Sequence, residues 1–86
     1  MPEICRFYGI VIKMFFGDHA PPHIHAEYGN DQVLIEIQTL AVFAGKIPPR
    51  AMGLVVEWGS LHQEELMDFW NQAVNLQPLG KIEPLK

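Results

Sequence analysis

The apolar residues of this chain change their repeat once, and that change limits the fold more than any other feature. Residues 32–38 alternate cleanly, with Val33, Ile35 and Ile37 on one side and Leu34 and Glu36 on the other. A repeat of two is the mark of a half-buried strand. Beyond Pro48-Pro49 the apolar positions Ala51, Leu54, Val55, Trp58, Leu61, Leu66, Phe69, Trp70 and Ala73 recur every three or four residues. That is one stripe along a helix, and proline is favoured in a first helical turn. A chain that runs through strands and then turns helical belongs to the α+β class, with its helix laid on a sheet.

Residues 4–16 read as a strand or two strand pieces, because Ile10, Val11, Ile12, Met14 and Phe15 are apolar on both faces. Tyr8, Ile10, Ile12, Met14 and Phe16 then share one face, and Phe7, Val11, Lys13 and Phe15 the other. Gly17-Asp18 is a turn, and residues 23–28 return antiparallel. Gly29-Asn30-Asp31 is a second turn of residues that tolerate positive φ. A third strand covers 32–38. Residues 39–44 form a fourth strand or a hairpin return that Gly45-Lys46 ends. The helix is expected over 49–76. Gly59-Ser60 is its weak point, and Ser60 with Gln63 matches a capping box. The stripe stays in phase across this point, which favours one continuous helix. Pro78 and Gly80 stop it, and the tail 77–86 docks on the body through Ile82-Glu-Pro-Leu85. The expectation is a single domain, 1–86, made of a small antiparallel sheet of three to four strands and one long helix on one face. The other face keeps Phe7, Val11, Phe15 and Leu34, a surface for a second copy or a partner.

The length of 86 residues and a hydrophobic content of 49% support that surface. So small a domain buries only about 60–65% of its unfolded surface and has little room to hide more. A net charge of −4 with six Lys and Arg argues against a generic nucleic-acid patch. The single Cys5 cannot form an internal disulfide. The opening residues show no basic segment followed by an apolar run, and no apolar run approaches a membrane span. Together these lead to the expectation of a cytoplasmic protein.

Titratable side chains concentrate in residues 16–29, Phe-Gly-Asp-His-Ala-Pro-Pro-His-Ile-His-Ala-Glu-Tyr-Gly, which hold three of the four histidines. Pro21-Pro22 fixes two φ angles and makes the approach to His23 rigid. Strand alternation places His23, His25 and Glu27 on one face and Ile24, Ala26 and Tyr28 on the other. Asp18 and His19 sit in the turn before them. Two imidazoles at i and i+2 can chelate one metal ion such as zinc, with His19 or Asp18 as a third ligand and water as a fourth. Without a metal, His19, His23 and His25 offer a base and an acid for a phosphodiester. Arg6, Lys13 or Tyr28 would then steady the developing charge. The plain alternative is a solvated strand face whose histidines hydrogen-bond to Asp18 and Glu27.

Further motifs identify the chain with a known pattern. The opening Met-Pro-Glu-Ile-Cys-Arg-Phe-Tyr-Gly-Ile, the block Asp18-His-x-Pro-Pro-His-x-His, Gly45-Lys-x-Pro, Glu57-Trp58, His62-x-Glu64-Glu65-Leu66, Trp70 and Ile82-Glu-Pro-Leu85 resemble the small bacterial domain-of-unknown-function family 4160. The resemblance covers essentially the whole chain. It implies no established catalytic residues and no established cofactor. It does imply a gene neighbour, a small protein of domain-of-unknown-function family 2442, an arrangement read as a candidate toxin–antitoxin pair. Two functions follow as expectations. One is an interaction component of such a pair, alone or as a homo-oligomer. The other is a small His-dependent hydrolase or RNase, with or without metal.

The remaining conspicuous residues have structural readings. Trp58, Phe69 and Trp70 lie at helical spacing and belong to a core. His62 pairs with Glu65 or Glu57 on a helix face, and Cys5 is a small buried apolar group. Lys46 and Arg50 flank the helix start, where free N–H groups attract anions.

Overall fold

A computed structural model describes residues 3–85. Five strands and two helices follow in chain order: β1 (Glu3–Phe7), β2 (Ile10–Lys13), β3 (His23–Tyr28), β4 (Asp31–Glu36), β5 (Val42–Lys46), α1 (Pro49–Leu61) and α2 (Gln63–Val74). Each strand pairs antiparallel with the next, giving one meander in the order β1-β2-β3-β4-β5. The α+β class holds. The sheet has five strands rather than three or four, and the single long helix is two.

The extra strand comes from the first segment. Tyr8 and Gly9 both adopt positive φ, 49° and 80°, and close a two-residue hairpin that pairs Phe7 with Ile10. This turn resets the side-chain phase. Phe7 therefore faces the core, where its ring lies 5.6 Å from that of Trp58, and not the opposite face as uninterrupted alternation had it. Val11, Phe15 and Leu34 stay half-buried outside that core. At the other edge, β5 runs on through Gly45 and Lys46 instead of ending before them.

The helix breaks at His62. Its backbone (φ −130°, ψ 20°) leaves the helical region, so it closes α1 and opens α2. The His62 N–H donates to Gly59 O, and the next turn resumes with Leu66 N–H to His62 O. The capping box does not form, because the Ser60 hydroxyl donates to Glu57 O. One skipped residue hardly moves the apolar stripe, which is why its phase conceals the break. Gln63 gains from it: its Nε2 donates to Ile37 O and Gln38 O and ties the start of α2 to the end of β4. Glu64 and Glu65 in the first turn of α2 complement its positive N-terminus. Glu65 also accepts from His62 Nδ1 at 2.7 Å.

The core lies between one sheet face and the helices. Ile4, Ile10, Ile12, Ile24, Val33 and Ile35 from the strands meet Val55, Trp58, Leu66 and Ala73 from the helices, all buried with Cys5. Trp58 and Trp70 are thus core residues, and Phe69 is half-buried against them. The tail docks as expected. Ile82 is buried, and its N–H donates to Ile4 O on the outer edge of β1. Lys81 Nζ donates to Glu3 O beside it. Both contacts cover one edge of the sheet.

Candidate functional site

The loop between β2 and β3, the start of β3, the C-terminal half of α2 and the edge strand β5 meet at one end of the sheet. Gly17 (φ 64°) turns the chain and donates its N–H to Ala73 O on α2, which holds the loop over the sheet end. Asp18 follows, and its Oδ1 accepts the His19 N–H at 2.9 Å. The Ala20–Pro21 peptide is cis. Pro22 O accepts from Ile37 N–H on the neighbouring strand, and β3 begins at His23.

Three side chains converge here. His23 Nε2 lies 3.0 Å and His25 Nε2 3.2 Å from the same oxygen, Asp18 Oδ2. The two rings are 5.1 Å apart. His23 Nδ1 donates to Pro21 O at 2.7 Å, and Gln32 Nε2 lies 3.4 Å from His25 Nδ1. His23 is 5% exposed. Its ring is held between Trp70 of α2, at 5.3 Å, and Phe43 of β5, edge-on at 5.2 Å. Phe15 stands edge-on to His25 at 4.6 Å. A row of rings, Phe15, His25, His23 and Phe43, therefore runs from just past the end of β2 across β3 to β5.

The other residues singled out in the sequence lie elsewhere. His19 is exposed and outside the convergent cluster, although its amide orients Asp18. Glu27 shares the histidine face but pairs with Lys13 at 3.0 Å. Arg6 pairs with Glu3 at 2.8 Å. Tyr28 points to the other face, by Gly9. Lys46 and Arg50 are exposed near the start of α1. Burial raises the pKa of the Cys5 thiol, so it is a poor nucleophile. The contributions of Phe43, Trp70 and Gln32 escaped sequence reasoning. Phe43 and Trp70 were legible only as apolar residues, and Gln32 reaches His25 from the adjacent strand.

Burial raises the pKa of the Asp18 carboxyl, but the His19 amide, the His25 hydrogen bond and the charges of both histidines outweigh it and hold it below the ordinary carboxylate range. A carboxyl depressed on folding stabilises the fold above its unfolded pKa and loses that contribution as pH falls through the folded one. Asp18→Asn is therefore expected to be less stable than the wild type at neutral pH, with the gap closing in acid. Urea unfolding of both chelator-treated proteins from pH 7 downward measures it; a constant gap would contradict the assignment.

A family model for a domain of unknown function (DUF4160) matches residues 9–71. The chain belongs to this family. The match spans β2 to most of α2 and so includes every side chain of the convergent cluster. No curated protein and no solved structure matches the DUF4160 chain. Among the described residues, no helix is long and apolar enough to cross a membrane.

Proposed function

We propose that this DUF4160 chain is an interaction component of a small bacterial cytoplasmic two-protein module of the toxin–antitoxin kind. Its partner is the small neighbour-encoded protein of domain-of-unknown-function family 2442 that the resemblance implies, and it seats on the sheet face opposite the core. The observation that carries this reading is the composition of that face. A sheet face left to water is ordinarily polar. Here Val11, Phe15 and Leu34 interrupt it with apolar side chains, and Phe43, 46% exposed, extends it at the β5 edge. The Lys13–Glu27 pair within the face supplies directional contacts, and an apolar centre with charged surroundings is how partner surfaces are built.

A second copy added strand to strand at β5 is disfavoured. The β5 edge is irregular: its register slips opposite Leu34 and Ile35, and Gly45 holds a φ of +72°. Such bulges blunt an edge against self-pairing. Co-expression with the neighbour-encoded protein should yield a stable one-to-one complex by size exclusion with light scattering. Separate elution of the two proteins, or a homodimer that excludes the neighbour, would count against this reading.

The convergence of His23 and His25 on Asp18 favours a second reading, a small hydrolase or RNase. One ring would accept a proton from the attacking group while the other protonates the leaving oxygen. His25→Ala should then abolish cleavage of a phosphodiester substrate while leaving the circular dichroism spectrum unchanged. Cleavage that survives the substitution would exclude this reading.

A further inference from the structure

We infer that Asp18 Oδ2, His23 Nε2 and His25 Nε2 bind one divalent transition-metal ion of the zinc class. The inference stands apart from the partner reading.

The donor atoms lie within 4.8 Å of one another, and the two histidine nitrogens lie 3.0 and 3.2 Å from the carboxylate oxygen. Zinc bonds to imidazole nitrogen and carboxylate oxygen at about 2.0–2.2 Å, so two ligands of one tetrahedral ion are about 3.3 Å apart. The two N···O separations therefore need to open by only a few tenths of an ångström to match that spacing, and the two imidazole nitrogens lie within 4.8 Å of each other.

The hydrogen-bond pattern points the same way. Pro21 O can only accept, so His23 Nδ1 carries a proton. In the neutral ring Nε2 is then a lone pair, and it faces the Asp18 carboxylate, another acceptor. Without an ion, the contact needs a buried imidazolium, a charge taken out of water. A divalent cation between the three atoms satisfies both lone pairs and the carboxylate together. Each donor residue also has an outer partner that orients it, as metal ligands generally do: Pro21 O for His23, Gln32 for His25, and the His19 amide for Asp18. An amide flip of Gln32 lets its oxygen accept from His25 Nδ1–H, which frees His25 Nε2 for the metal. Two imidazoles and one carboxylate suit zinc and its neighbours and not calcium or magnesium. Three protein ligands leave a fourth position for water, as in catalytic zinc sites.

The test uses untagged full-length protein stripped with chelator, titrated with Zn²⁺ against a chromophoric competitor. Co²⁺ substitution gives a second readout, a visible absorption band characteristic of a four-coordinate site. The expectation is one ion per chain with a Kd below about 1 µM, weakened at least about 100-fold by Asp18→Asn and by His25→Gln. His19→Ala should bind as the wild type does, because its backbone amide is retained. Thermal unfolding of each stripped variant separates loss of a ligand from loss of fold. Should His25→Gln fail to fold, Asp18→Asn carries the comparison, since Asp18 lies in a loop. No binding tighter than about 100 µM, affinity indifferent to Asp18→Asn, or affinity lost in His19→Ala would each overturn the inference.

Discussion

Replacing Trp58 with alanine is expected to remove a large share of the stability of the domain. Trp58 is fully buried, packs on Phe7, and donates its indole N–H to Glu83 O at 2.8 Å. It thus joins α1, the β1–β2 hairpin and the C-terminal tail. Truncating a buried aromatic residue to alanine costs about 3–5 kcal/mol. A chain of this length has a total stability of roughly 4–13 kcal/mol, so the loss takes from about a quarter to all of it. Trp58→Phe keeps most of the ring and loses the donor, with an expected cost of about 1–2 kcal/mol. Thermal unfolding followed by circular dichroism ranks the two. A Trp58→Ala protein that melts within about 5 °C of the wild type would show that the tail and hairpin do not depend on this side chain.

Gly45→Ala is the second large effect, and it acts through the backbone. Gly45 has a φ of +72°, a region costly for any residue with a Cβ. A Cβ added there runs into the Gln32 carbonyl oxygen of β4. Backbone on backbone cannot yield as a flexible side chain can, so β5 must move away from β4. The expected loss is about 2–4 kcal/mol. It should appear in hydrogen exchange as lost protection in β4 and β5, with β1 and β2 much less affected. Uniform loss across all five strands would mean that β5 does not open by itself. Since β5 carries Phe43, this variant should also weaken the proposed partner surface.

The period-two and helical patterns located most of this fold because burial imposes them directly. The core positions Ile10, Ile12, Val33, Ile35, Ala51, Val55, Leu66 and Ala73 are buried where the alternation and the stripe place them. What escaped depends on single backbone conformations. Tyr8 in the left-handed region splits the first strand and moves Phe7 to the core. His62, outside the helical region at φ −130° and ψ 20°, divides the helix without shifting its stripe. In the candidate site, alternation put His23 and His25 on one face because both lie within a strand. It could not choose between Asp18 and His19 as the third group, because both belong to a turn whose direction Gly17 sets. The aromatic walls around the histidines come from the segment after β2, from β5 and from α2, so only the folded chain brings them together.

The central claim is that the sheet face opposite the core is the working surface of this DUF4160 chain, and Leu34→Asp with Phe43→Asp tests it most directly. Leu34 is half-buried and Phe43 exposed, and neither belongs to the core, so both variants should keep the wild-type circular dichroism spectrum. Each should cost the complex with the neighbour-encoded protein at least about 100-fold in affinity, as expected at the centre of an interface. Folded variants that bind the partner as tightly as the wild type would contradict the claim and place the working surface elsewhere.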